Sequence, residues 1–454
     1  MVRFKTGSLC RDAKASPKSK ISNSFRQLIW SACITHHLTL RFDKKYDKIP
    51  CVKKTKKSLS VLRGLRLLRL GWFFHNFMPI LPVIVLVYTG RGISVGDFFL
   101  IQGIFRLAAF LFEIPSGYMS DRFSRRRVML FGALCSIVGF ATIAAAYGFW
   151  AIVAGEALLG ISSALFSGTM EAYTYDLMKR NRSQKQFLKE FGEIMTWASI
   201  AEFIASILGG ALFVVLGASG LLWLQVLFAI MSVFAFVFLP ELLEVKRIVK
   251  NKTAVADAIG VTYKTLQNYK LRNLILFPSV FGAFTIVLLW IMQPIMETAH
   301  VPVALFGLYF AINQFSGIFF SKYAYKICEK LGEMRTSVIT IFAVIIAATM
   351  GLIAIHVSNM IVVYVACAIM ATVPSIVRLN NLQYNTLIHH SIRSIERGTV
   401  LSTRAMVSTL CGALMLIIAK FLLDGYGIAT TLVFLLVMSG LLFWILNKVR
   451  KVIK

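Results

Sequence analysis

Apolar residues run in blocks of about twenty along most of this chain, with short polar stops between them. Gly71–Tyr88, Phe98–Phe112, Val128–Tyr147, Phe149–Met170, Trp197–Leu216 and Leu221–Leu239 form a first set of six. After a polar stretch come Leu274–Ile295, Pro302–Phe320, Val338–Ile355, Met360–Val377, Ala405–Leu423 and Ala429–Leu446. Each block is close to the ~20 residues that a helix needs to cross a hydrocarbon core about 30 Å thick. Helices packed inside a soluble protein would still show polar outer faces, so an all-buried soluble bundle is the weaker reading. The pattern predicts an all-α membrane protein of twelve transmembrane helices in two six-helix bundles. Little chain is left for a soluble domain.

Charge orients these spans. The chain of 454 residues is 57% hydrophobic and 15% charged, with 49 Lys+Arg against 20 Asp+Glu and a net charge of +29. Loops after even-numbered spans hold the basic residues: Arg122, Arg125, Arg126 and Arg127; Lys179 to Lys189; Lys246 to Arg272; Lys322 to Arg335; Arg393 and Arg397. The opposite side shows little beyond Arg91, with Lys420 near the end of its span, and the turns Tyr147–Gly148 and Gly217–Gly220 carry no Lys or Arg. Positive loops stay in the cytoplasm. The expectation is a multi-pass protein of the cytoplasmic (inner) membrane with both termini cytoplasmic.

Five segments follow: a basic cytoplasmic N-terminal extension (1–64), a first bundle (65–240), a cytoplasmic linker (241–272), a second bundle (273–447) and a basic tail (448–454). Residues 1–70 carry 18 Lys+Arg against Asp12, Asp43 and Asp47, so +15 of the +29 lies there. This extension reads either as a disordered tail held near anionic headgroups or as sequence upstream of a true start near Val52 or Leu59. No motif frames its few aromatics, so nucleic acid is not an expected partner. Glu241 to Lys252 and the helix-compatible stretch Asp257–Leu266 suggest interfacial amphipathic helices in the linker. The seven cysteines form no closely spaced pair, which argues against disulfides and zinc.

Ionisable groups inside a membrane are costly and usually face a cavity or a partner. In span two, Gln102, Arg106 and Glu113 share a helix face. In span four, Glu156, Gly160, Ser163, Ser167 and Glu171 form a polar stripe. Span five adds Glu202 and Ser206, and span one adds His75-Asn76 beside Pro79 and Pro82. The second half offers Gln293-Pro294 and Glu297, Asn313-Gln314, and then Arg378, Asn380, Asn381 and Asn385. Each has a packing alternative. Arg106 can pair with Glu156 or Glu202, and Gln293-Pro294 can be a kink rather than a ligand. Glu156, a carboxylate withdrawn from water, suits a proton carrier.

The loop after the second span reads Glu113-Ile114-Pro115-Ser116-Gly117, then Asp121-Arg122, then Arg125-Arg126-Arg127. It resembles the Gly-x-x-x-Asp-Arg-x-x-Arg-Arg loop of the major facilitator superfamily, with a lead-in like that of bacterial members. Ser167-Gly168-Thr169-Met170-Glu171 through Tyr175-Asp176, and Arg397-Gly398-Thr399 through Ser402, resemble further segments of the same branch. The likeness covers about residues 65–447. It implies the MFS fold and transport by rocking of two halves about a midplane site. Physically, Gly117 lets two helices approach and Asp121 can face a helix N-terminus. The resemblance implies that this neighbour is the eleventh span, and that Arg122 or Arg125 pairs with Glu171 or Asp176 as a gate. It also implies a central cavity lined by spans one, four, seven and ten, which selects Asn76, Glu156, Gln293, Glu297, Arg378 and Asn381. Arg106, Glu113 and Glu202 complete the candidate substrate or proton pathway.

Two departures bear on the cargo. Proton-coupled exporters of the family carry an Arg where Glu156 stands before Gly160, and a Gly-Pro-x-x-Gly-Gly element where this chain has Ala205-Ser206 and then Gly209-Gly210. Both weaken an antiport reading while keeping the glycine pair for close packing. No Gly-x-x-x-x-Gly-Lys-Ser/Thr loop occurs, and neither His36-His37 nor His389-His390 has zinc spacing. The expectation is no enzyme, no cofactor and no metal, but a monomeric secondary transporter whose partners are a small-molecule substrate, protons and the lipid bilayer. Efflux of amphipathic compounds leads; proton-symport uptake of a small polar or anionic nutrient through Arg378, or a non-transporting receptor on the same fold, are the alternatives.

Overall fold

The computed structural model describes residues 56–145, 147–180, 183, 186–242, 254–392 and 397–453. The N-terminal extension to residue 55, the linker from 243 to 253, Arg393, and the side chains of Asp121, Asp257 and Arg397 lie outside what is described. Among the described residues the regular elements are all helical. The first set comprises α1 (Lys56–Asn76), α2 (Ile84–Thr89), α3 (Val95–Arg122), α4 (Arg125–Ala145), α5 (Phe149–Phe166), α6 (Thr169–Arg180) and α7 (Phe187–Val237). A linker helix, α8 (Ala254–Gln267), leads to α9 (Tyr269–Thr298), α10 (Phe306–Leu331), α11 (Glu333–His356), α12 (Met360–Thr372), α13 (Val377–Ser391) and α14 (Arg397–Ile453).

Among the described residues, ten stretches are long and apolar enough to cross a membrane. Two of them, Lys189–Val237 and Val400–Lys451, run to 49 and 52 residues. A straight helix of that length would reach over roughly 70 Å, about twice a bilayer core. Each is interrupted by a glycine in the left-handed region, Gly217 (φ 67°) and Gly427 (φ 82°), where a side chain would be strained. On either side of Gly217 the chain returns to the same neighbour. Phe77 clusters with Ala201 and Ala205 and packs on Phe228, at 4.5 Å between rings.

Three further spans are broken rather than bent. Pro79 and Pro82 remove backbone donors between α1 and α2, where a 3₁₀ turn Leu81–Val83 bridges the gap. Gly168 (φ 67°) separates α5 from α6, and a 3₁₀ turn Pro374–Ile376 separates α12 from α13. In contrast, α9 runs through Pro278 and Pro294 without interruption, so Gln293-Pro294 ends no helix.

We call the end of the bundle that carries Asp97 and Asp424 the rim, and the end that carries Arg69, Arg125 and Asp176 the base. The two sets of spans meet closely toward the rim. A Cβ on Gly210 would lie 2.7 Å from the carbonyl oxygens of Val303 and Ala304. Gly307 faces the Ser206 carbonyl in the same way, so α7 and α10 cross backbone to backbone. Trp290 of α9 packs edge-on against Phe98 of α3 at 5.5 Å. Lys420 of α14 reaches Asp97 of α3 at 2.8 Å and Asp424 at 2.7 Å. At the base, a Cβ on Gly117 would meet no atom of the described residues of another element within 4 Å, so the close helix approach expected there is not made by them in this conformation.

Candidate functional site

A cavity of about 520 Å³ lies where α1 and α5 are interrupted. Breaking a helix frees backbone and side chains to face a pocket, which is why such breaks mark binding sites in transporter folds. The α1 side contributes Trp72, His75 and Asn76, α3 contributes Gln102 and Phe105, and α5 with α6 contributes Glu156, Ser163, Ser167 and Glu171. Among the described residues, Trp290 is the sole lining residue from the second set of spans.

Glu156 is 3% exposed and anchors the deep end. Its Oε1 accepts two hydrogen bonds, from the Tyr88 hydroxyl at 2.6 Å and from Gln102 Nε2 at 3.1 Å. Its Oε2 accepts none from the described residues, and no cation of theirs pairs with it. Gly160, one turn along the same face, makes this geometry possible. A side chain there would collide with the Phe105 carbonyl and lie 3.1 Å from Ala108, so only glycine lets α5 press onto α3. The stripe of small and polar residues read along span four is therefore the wall of a real cavity.

Another part of the lining is aromatic. His75 stacks on Trp72 with ring centroids 5.0 Å apart, and Phe166 stands 4.4 Å from His75 and 5.3 Å from Trp72. Asn76 lines the cavity but donates its amide to the Trp72 carbonyl at 2.7 Å, closing the last turn of α1. Ser167, at the α5 break, donates to Glu113 at 3.0 Å. From Gly168 and Glu171 a smaller pocket of about 320 Å³ continues to Arg125 and Asp176.

The residues expected to form a gate are only partly brought together. Arg125 pairs with Asp176 and donates to the Ala172 carbonyl at 2.7 Å. Arg122 instead donates to Tyr118 at 3.0 Å on the exposed surface, and meets neither Glu171 nor Asp176. Glu171 has no hydrogen-bonded partner among the described residues. Asp121's side chain falls outside them.

Several pathway candidates sit elsewhere. Arg106 forms no ion pair with Glu156 or Glu202; its guanidinium packs against Gly412 of α14. Glu202 faces Arg378 at 3.8 Å, and Arg378 donates to Gln314 at 2.6 Å. Asn381 and Asn385 both accept from the Arg404 guanidinium, Asn381 at 2.6 Å. Gln293, fully buried, accepts from the Val85 N–H at 3.0 Å and donates to the Leu81 carbonyl at 2.9 Å. Glu297 is exposed at the C-terminal end of α9. None of these four second-half positions, Gln293, Glu297, Arg378 and Asn381, lines the cavity. Gln293 lies on nearly the same face of α9 as Trp290 but almost a turn further on, where it meets the backbone of Leu81 and Val85 instead of the cavity.

Three participants escape a reading of the sequence. Tyr88 is the closest donor to Glu156, yet in the sequence it is one aromatic in an apolar block. Arg404 is 8% exposed and stands just before a span that hydropathy begins at Ala405. The Lys420 cluster is visible as a lone lysine near a span end, but its partner Asp97 lies 323 residues away.

The sequence profile described as Major Facilitator Superfamily matches residues 67–415. An uncharacterized transporter of Buchnera aphidicola subsp. Acyrthosiphon pisum is 26% identical over 230 residues, covering 50% of this chain and 53% of that protein. A second, from Buchnera aphidicola subsp. Schizaphis graminum, is 27% identical over 177 residues, 38% of this chain and 42% of its own length. The chain thus spans about half or less of the length of these relatives. Among solved structures, the nucleoside transporter NupG superposes with a TM-score of 0.69 at 13% identity, over 87% of this chain and 99% of that one. A POT family transporter in complex with 5-aminolevulinic acid gives 0.68 at 13% identity, over 86% and 97%. At such identities the likeness is one of fold. With the profile covering most of the chain, this multi-pass membrane protein belongs to the Major Facilitator Superfamily of transporters.

Proposed function

We propose that the chain is a proton-coupled secondary transporter that moves a small molecule by alternating access, with efflux as the favoured direction. In this reading the long elements turned at Gly217 and Gly427 are each two spans, giving twelve in two bundles, and the base is cytoplasmic. The described conformation is then closed at the rim, where Lys420 and Gln293 join the two sets of spans, and its cavity leads toward the base.

The observation that supports coupling most is the solitary Glu156. A carboxylate that is 3% exposed, with two donors on one oxygen and no countercharge, needs a proton or a cargo to compensate it. Alternation between the two is the elementary step of coupling. Anion uptake through Arg378 loses support, because Arg378 is held by Glu202 and Gln314 away from the cavity.

The test needs no known cargo. Spin labels at Tyr147 and Tyr426, which are 76% and 73% exposed, report the rim distance in a cysteine-free background. Reconstituted wild-type protein is expected to redistribute between two distances when pH is changed, and Glu156→Gln to stop responding. A wild-type distribution independent of pH would remove proton coupling, and a responsive Glu156→Gln would remove Glu156 from it.

A further inference from the structure

We infer that the cargo is an amphipathic organic cation, its charge set against Glu156 Oε2 and its apolar body held among Trp72, His75, Phe166 and Trp290. This rests on the transporter reading above and adds what that reading leaves open, the sign and character of the cargo.

The first support is charge. Among the cavity's lining residues the charged groups are Glu156 and Glu171, both carboxylates, with no Lys or Arg. The nearest buried guanidinium on α3, Arg106, is turned to Gly412, and Arg91 is engaged by the Ile143 and Ala144 carbonyls. Arg125, paired with Asp176, and Lys179 stand in the smaller pocket beyond Glu171, but within the cavity's own lining an anion would meet two carboxylates and no Lys or Arg, a repulsion that discriminates in a low dielectric. A neutral cargo would leave Glu156 as it was.

The second support is geometry. Tyr88 and Gln102 both donate to Oε1, so the carboxylate is fixed in orientation while Oε2 stays without a donor among the described residues. Two donors on one oxygen orient the group without neutralising it. What remains is a charged acceptor site aimed at the cavity.

The third support is the aromatic part of the lining. Trp72, His75 and Phe166 form a contiguous aromatic cluster, with Trp290 contributed from the second half. Aromatic faces carry negative quadrupole density and attract cations, most strongly where water is excluded. A cation with an apolar body satisfies both parts of the lining at once. His75 is the one lining group that can itself turn cationic, and its ring is already occupied against Trp72 and Phe166.

Purified full-length protein should be titrated with two pairs of probes matched in shape and opposite in charge. One pair is tetraphenylphosphonium and tetraphenylborate; the smaller pair is 3-phenylpropyl-trimethylammonium and 4-phenylbutyrate. Binding is read by calorimetry and by quenching of tryptophan fluorescence. At least one cation is expected to bind on the order of tenfold or more tightly than its anionic mate. Glu156→Gln should abolish that preference and Glu156→Asp should retain part of it. Failure of both cations to bind, an equal or stronger response to the anions, or an unchanged preference in Glu156→Gln each overturns the inference. The wild-type cation-to-anion comparison stands even if a variant folds poorly. If the preference is missing while the Tyr147 and Tyr426 labels still switch, the cargo assignment falls and the transporter reading survives; a rim distance that never changes would instead refute the latter.

Discussion

Gln293→Leu is the substitution that most directly tests whether the rim contacts hold one conformation. Gln293 is 0% exposed, and its amide spans the two sets of helices, accepting from Val85 N–H and donating to the Leu81 carbonyl. Val85 lies in the first turn of α2, where backbone donors have no partner within the helix, so Gln293 supplies from α9 what α2 lacks. Leucine fills nearly the same space and makes neither bond. In the rim-closed form the Val85 N–H then loses this partner while remaining buried, at about 1–3 kcal/mol, whereas the part-buried Leu81 carbonyl loses less. In a rim-open form water can reach them, so the cost falls on the closed form alone. Taking only one group's worth, the equilibrium shifts toward rim opening by roughly 5- to 150-fold. The Tyr147 and Tyr426 label pair reads this directly as growth of the longer distance. A distance distribution identical to wild type, in protein of unchanged helicity, would refute the proposal that these bonds distinguish the two forms.

Lys420→Met should shift the same distribution in the same direction but less. Only its pair with Asp97 joins the two sets of spans, Asp424 lying one turn along α14; that partly exposed pair is worth about 0.2–1 kcal/mol, and the difference from wild type should fade at high salt. Arg404→Leu strips Asn381 and Asn385 of their shared donor and should cost about 1.5–3 kcal/mol, seen as a lower thermal midpoint, with Arg404→Lys intermediate because it lacks the planar fork. Gly160→Val forces α5 off the Phe105 carbonyl, and should cost about 1–3 kcal/mol by overpacking while lowering cation binding through a displaced Glu156. Gly117→Ala, with no neighbour within 4 Å among the described residues, should leave stability within about 0.5 kcal/mol of wild type or raise it slightly, read from the thermal midpoint; a large loss would place Gly117 in a contact that they do not make in this conformation.

Spans were legible in the sequence because length and hydropathy are properties of one helix at a time. The three- and four-residue spacing from Glu156 through Gly160 to Glu171 was legible for the same reason, and it became a cavity wall. Pairing was not legible. Arg106 has two carboxylates at suitable depth, Glu156 and Glu202, yet it joins neither, because pairing depends on how each helix is rotated about its axis. A period of 3.6 says which residues share a face and says nothing of what that face meets. The same limit hid Gln293, whose partners are backbone atoms exposed by the Pro79 and Pro82 break. Arg125 with Asp176 was anticipated through resemblance, as one of several pairings that spacing alone could not rank.

The polar groups of the two halves are satisfied in different ways, and this asymmetry bears on how the transporter works. Apart from Gln293, which reaches the first half, several buried polar side chains of the second half are bonded within it: Arg404 to Asn381 and Asn385, Asn313 to the Ala371 carbonyl, and Gln383 to Ser337, which also meets Tyr384. Such closed networks can stay in a low dielectric through a whole cycle without a change of partner. In the first half Glu156 keeps one oxygen without a donor and Glu171 has no partner among the described residues, while the one second-half residue in the cavity is the apolar face of Trp290. A group left unpaired in a membrane is costly in every state except the one in which something binds it. In the proposed cycle the first half then holds the chemistry that cargo and proton would compete for, with the second half as the partner that opens and closes against it. That division places the determinants of cargo on α1, α3 and α5, and the determinants of conformational preference on Gln293 and Lys420.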